Sequence, residues 1–96
     1  MHARLVLMNL GQGQRETAEK VADEMNALAK TLKGFKSITF FMDEAAGEYG
    51  GFSLWETKED GEAGAEQINP RLGEMVGNLL KGEPTRKFFE VYEPKG

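Results

Sequence analysis

Gly47-Glu48-Tyr49-Gly50-Gly51-Phe52-Ser53-Leu54-Trp55-Glu56-Thr57-Lys58-Glu59-Asp60 decides the fold, because a strand, the only tryptophan and a helix start follow one another within it. Side chains of a strand alternate between its two faces. Phe52 and Leu54 therefore share one face, and Tyr49, Gly51, Ser53 and Trp55 share the other. Two small residues between two aromatics leave room beside the sheet, so this second face is the expected floor of a pocket. Thr57 is placed to cap a following helix, with Asp60 three residues on in the capping-box position.

Working outward, Phe35 to Asp43 is rich in aromatic and β-branched residues and reads as a strand. Glu44-Ala45-Ala46-Gly47 turns it back into the Glu48–Glu56 strand as a hairpin. Before it, Ala18, Val21, Ala22, Met25, Leu28, Ala29 and Leu32 recur at i, i+3, i+4 spacing. That spacing predicts an amphipathic helix of about five turns, stopped at Lys33-Gly34. Residues 4–10 form a first strand, broken by Gly11-Gln12-Gly13. A dinucleotide loop would need a third glycine where Glu16 stands, so this is a plain turn.

Beyond Thr57, residues 58–67 are weakly apolar, carry Gly61 and Gly64, and read as a short, shallowly packed or mobile helix. Asn69 and Pro70 then restart a helix as cap and first residue, with Leu72, Met75, Val76, Leu79 and Leu80 facing inward. Gly82-Glu83-Pro84 ends it, and residues 86–93 form a last strand. The order βαββαβ is the ferredoxin-like α+β arrangement: a four-stranded antiparallel sheet with both helices on one face, in a single domain spanning residues 1–96.

Composition narrows the functions. A net charge of -4 and twelve scattered Lys and Arg residues give no basic track for a phosphate backbone, so no nucleic acid is expected as partner. There is no cysteine, one histidine and no calcium-loop spacing, so neither metal nor cofactor is expected. No apolar run is long enough for a membrane span and no signal-peptide pattern opens the chain, which makes the cytoplasm the default location.

The neighbouring pairs Phe40-Phe41 and Phe88-Phe89 must split between opposite faces, and Leu5 and Leu7 point away from Arg4, Val6 and Met8. Both faces of the sheet are then apolar, although helices cover only one. A second copy with its open face against the first is the simplest cover, giving an isologous homodimer.

With the hairpin and Trp55 in place, the chain resembles the antibiotic biosynthesis monooxygenase (ABM) superfamily of dimeric α/β barrels. The resemblance rests on Gly34-Phe35 opening the second strand, Gly47-Glu48-Tyr49-Gly50 leading the third, and Trp55-Glu56-Thr57-Lys58-Glu59-Asp60 ending it. It implies a pocket between sheet and helices and, in some members, cofactor-independent oxygenation of quinols and polycyclic aromatics. Other members degrade haem, using a histidine on the second helical segment and an asparagine in the middle of strand one. Residues 58–80 hold no histidine and Val6 occupies mid-strand, which disfavours haem here. Asn9 is no substitute, because antiparallel pairing of strands one and three sets it on the order of 15 Å or more from Trp55.

The same pairing brings Arg4 near Trp55. Arg4 either donates to an anionic phenolate or carboxylate on a ligand, or reaches solvent and pairs with Glu56 or Glu93. Tyr49 and Ser53 are hydrogen-bonding candidates over the gap at Gly51. Trp55 is core, pocket wall or both, and Tyr92 carries the same ambiguity. His2 reads as a fraying terminal residue. Two functions follow: an oxygenase-like enzyme acting on a small aromatic or quinol, or a non-catalytic dimer that binds a small molecule or serves in interactions.

Overall fold

The computed structural model describes residues 1–96, and its elements follow the βαββαβ order: β1 (His2–Asn9), α1 (Arg15–Ala29), β2 (Phe35–Asp43), β3 (Glu48–Trp55), α2 (Lys58–Val76) and β4 (Thr85–Glu90). The four strands form one sheet in the order β2-β3-β1-β4, antiparallel throughout. Arg4 lies opposite Ser53, Val6 opposite Gly51 and Met8 opposite Tyr49, while Phe40 faces Gly51 from the other side. These residues share the face that the helices cover. Asn9 pairs with Glu48 at the far end of the sheet from Trp55.

The core between sheet and helices joins Met8, Leu10, Tyr49 and Trp55 to Val21, Met25 and Ala29 of α1 and to Ile68, Leu72 and Val76 of α2. The opposite face has no cover within the chain, and Phe41, Phe52 and Phe89 stand on it about 40% exposed. Neither helix is long and apolar enough to cross a membrane.

Element ends differ from the sequence reading in places. His2 does not fray; it pairs with Trp55 on one side and Glu90 on the other. The first helix ends at Ala29, about one turn early, because the amides of Thr31 and Leu32 turn to the carbonyls three residues back. Leu32 still packs on the core from that tightened turn. The last strand stops at Glu90 rather than 93.

The larger correction concerns α2. It is one helix through Pro70, where the sequence suggested two helices with Asn69 as a cap. Gly61, Gly64, Ala65, Ile68, Leu72 and Val76 make a single buried stripe along its whole length. That continuous burial holds the halves in line against the hydrogen bond that proline removes. Pro70 and Glu66, whose carbonyl loses its partner, both lie on the exposed side, where water can take over. Thr57 caps the helix as expected, its hydroxyl oxygen accepting from the Asp60 amide at 3.0 Å.

The first half of α2 is not shallowly packed either. A Cβ on Gly64 would stand 2.5 Å from Trp55 Cη2, and one on Gly61 would stand 3.0 Å from Phe88. The two glycines that read as a weak helix are the surface into which the indole fits.

Candidate functional site

Between the sheet and the helices lies a cavity of about 250 Å³. Its floor is the helix-covered face of β1, β3 and β2, with Arg4, Val6 and Met8 beside Ser53, Gly51 and Tyr49, and then Ile38, Phe40 and Met42. Ala18, Val21, Ala22 and Met25 of α1 and Ile68 and Leu72 of α2 form the roof, and the α1 carboxylates Glu19 and Asp23 stand exposed at the rim. Gly51 lets the Phe40 and Ile38 side chains lean over the strand: a Cβ there would stand 3.3 Å from Phe40 Cδ1 and 3.7 Å from Ile38 Cδ1.

Of the residues singled out from sequence, Arg4, Tyr49, Gly51 and Ser53 line this cavity. Trp55, expected as a wall, does not. It is fully buried one step beyond the lining, edge-on to Phe35 at 5.5 Å and pressed against Gly61 and Gly64. The close approach of α2 at these glycines seals it off. Trp55 reaches the site through one bond, its Nε1 donating to Ser53 Oγ at 2.9 Å. Tyr92 lies beyond β4 and is 75% exposed, away from any pocket lining.

The polar groups divide by position. Tyr49 spends its hydroxyl on the Gly11 carbonyl at 3.4 Å. This closes the end of the cavity where Gly47 meets Gly11 so tightly that a Cβ on Gly47 would stand 2.7 Å from Gly11 Cα. Gly47 has φ +72, so a side chain there would also be strained.

At the opposite end sits Arg4, only 3% exposed, neither reaching solvent nor pairing with Glu56 or Glu93. One Nη2–H donates to Asn69 Oδ1 at 2.5 Å, and the guanidinium lies 5.9 Å from the Phe88 ring centre. Nε is buried with no hydrogen-bond partner. Burial, then repulsion from Arg86, lowers the Arg4 pKa to about 10. No carboxylate forms an ion pair with it. A buried guanidinium normally has an anionic partner, since an unpaired one costs several kcal/mol.

Asn69 is the residue that sequence reasoning misplaced. Its Asn-Pro signature pointed to a cap, whereas mid-helix it meets a strand 65 residues away. No three of His, Asp and Glu converge anywhere as a metal-binding group.

No family model matches the sequence, and no curated protein matches it. Solved structures do match in shape. NE2512, a protein of unknown function from Nitrosomonas europaea, superposes with a TM-score of 0.81 at 19% identity, covering 98% of this chain and 91% of that one. SnoaB, a cofactor-independent oxygenase from Streptomyces nogalater solved as its N63A mutant, gives 0.76 at 12% identity, covering 97% and 94%. A Nitrosomonas europaea protein provisionally named an antibiotic biosynthesis monooxygenase gives 0.82 at 10% identity, covering 99% and 93%. At these identities the likeness defines the fold: the chain has the ABM-like ferredoxin fold from end to end.

Proposed function

We propose that this protein binds a small aromatic or quinol-type molecule in the sheet–helix cavity and oxygenates it without a cofactor. The observation that carries the reading is the apolar cavity between sheet and helices, with Arg4 and Ser53 together at one end and Tyr49 at the other. The shared fold with SnoaB supports the reaction class. Such chemistry asks the protein mainly for shape, exclusion of water and donors that favour the ionised substrate. A quinol and dioxygen give a hydroxyquinone and water, all electrons coming from the quinol. Arg4 and Ser53 serve as polar contacts, Gly51 lets Phe40 and Ile38 lean over the floor, Tyr49 closes the far end, and Trp55 holds Ser53 from behind.

At about 250 Å³ the cavity falls below the roughly 300–1,000 Å³ of drug-sized sites, which suits one or two fused rings. We also propose that the protein works as a homodimer, the exposed Phe41, Phe52 and Phe89 packing against the same face of a second copy.

The test is oxygen uptake with 1,4-dihydroxynaphthalene, corrected for protein-free autoxidation, in the wild type and in Gly51→Leu, which fills the floor. Uptake by the wild type and its loss in a folded Gly51→Leu are expected. Equal uptake by both defeats the site. A second reading, binding without turnover, is favoured by the absence of any histidine or carboxylate in the cavity interior, Glu19 and Asp23 being at its rim. Quinol binding with no uptake above autoxidation selects it.

A further inference from the structure

Two side chains with donors to spare sit together at the cavity wall. Arg4 and Ser53 are direct partners across β1 and β3, so their side chains stand side by side on the cavity floor. Arg4 Nε has no partner. Ser53 Oγ accepts from the Trp55 indole and keeps its own proton to donate. No acceptor is placed between them. Asn69 neutralises nothing, being uncharged, and it holds only the Nη2 side of the guanidinium. Phe88 closes over the group and Arg86 adds a second positive charge nearby. The only carboxylates of the lining, Glu19 and Asp23, are exposed on α1.

We infer that the cavity is built for an aromatic carboxylate, whose carboxylate is the missing partner of Arg4 and Ser53 and whose one- or two-ring body lies among Val6, Met25, Phe40 and Leu72. A carboxylate fits better than a phenol because it is already ionised at neutral pH, whereas a phenol with a pKa near 10 is not. The guanidinium fork and the adjacent hydroxyl present donors to both carboxylate oxygens. The inference rests on the reading of the cavity as a ligand site, and adds the chemical class that it takes.

Asn69 provides an internal control. Asn69→Asp changes one atom group of nearly equal size and supplies Arg4 with a carboxylate from the protein itself.

The experiment is calorimetric titration with 2-naphthoate, its neutral isostere 2-naphthamide, and 2-naphthol, on the wild type, Arg4→Met and Asn69→Asp. Charge-assisted bonds of this kind correspond to a ten- to hundredfold preference. The wild type is expected to prefer naphthoate over naphthamide and naphthol by at least tenfold. Arg4→Met and Asn69→Asp are expected to lose that preference. Retention of the preference in Asn69→Asp, or equal binding of all three probes by the wild type, overturns the inference while leaving the cavity a ligand site. Failure of every probe to bind the wild type overturns both. Naphthoate preference in a protein that oxidises no quinol supports the inference and defeats only the oxygenase reading. Circular dichroism of each variant establishes that it is folded before titration.

Discussion

Replacing Arg4 by methionine should make the empty protein more stable, although it removes a side chain buried in the interior. The guanidinium carries its charge at a loss: a pKa lowered from its ordinary value to about 10 corresponds to about 3 kcal/mol. Against this, the variant gives up the hydrogen bond to Asn69, worth about 1 kcal/mol net. Asn69 is half-exposed and can take water instead. Methionine retains the apolar stem over Phe88 and brings no charge. The balance is a gain of about 2 kcal/mol, which in a domain of this size raises Tm by roughly 8 to 16 °C.

The pH dependence has a definite sign. The folded state releases the Arg4 proton more readily than the unfolded state, so the penalty is complete well below pH 10 and shrinks as pH rises through it. The advantage of Arg4→Met should therefore narrow between pH 9 and pH 11, a comparison in which the other titrating groups cancel. Differential scanning calorimetry of both proteins without ligand measures it. A Tm several degrees below that of the wild type at pH 7 refutes the reasoning, since Arg4 would then be held by compensated contacts rather than carried as a burden.

The two-glycine surface of α2 predicts a steric cost at Gly64: Gly64→Ala puts a Cβ 2.5 Å from Trp55 Cη2 and should destabilise by about 1 to 3 kcal/mol in urea titration. Gly73→Ala, in the same helix with nothing within 4 Å of the new atom, should instead stabilise by about 0.5 to 1 kcal/mol; similar effects at the two sites would refute the close approach. Trp55→Ala should cost about 3 to 5 kcal/mol by opening a core cavity, so lost turnover in that variant would report unfolding, and a Tm within a degree of the wild type would show that the indole is not packed as described. Sedimentation at micromolar concentration should give twice the 10.7 kDa chain mass, and Phe52→Glu, placing a charge on the open face, should give the monomer; a monomeric wild type refutes the dimer.

Much of the architecture was legible because it depends on local period and pairing. The alternation from Tyr49 to Trp55 gave the two faces of β3, and antiparallel pairing then put Arg4 beside Ser53 and kept Asn9 at the other end. What escaped depends on how a helix is rotated and pressed onto the sheet. Gly61 and Gly64 look like helix weakness until the indole they receive is known. Asn69-Pro70 has the local chemistry of a helix start, and only the buried stripe from Gly61 to Val76 overrides it. The Arg4–Asn69 bond joins residues whose proximity is set by that rotation, so no spacing in the chain announces it. The displacement of Trp55 from the cavity has the same origin: a strand position says which face a side chain takes, not how closely a helix will come down on it.

The lone indole is sealed from water and tied to a cavity residue by a single bond. It is therefore a built-in optical reporter. Its emission should be blue-shifted and resistant to iodide, and it titrates no other environment because the chain holds no second tryptophan. Anything that draws the Ser53 hydroxyl toward a new acceptor must act on the oxygen that receives the indole N–H, so occupancy of the cavity can be read as a change in emission from a ring that no ligand touches. Screening an unknown metabolite pool then needs no label and no assumption about turnover.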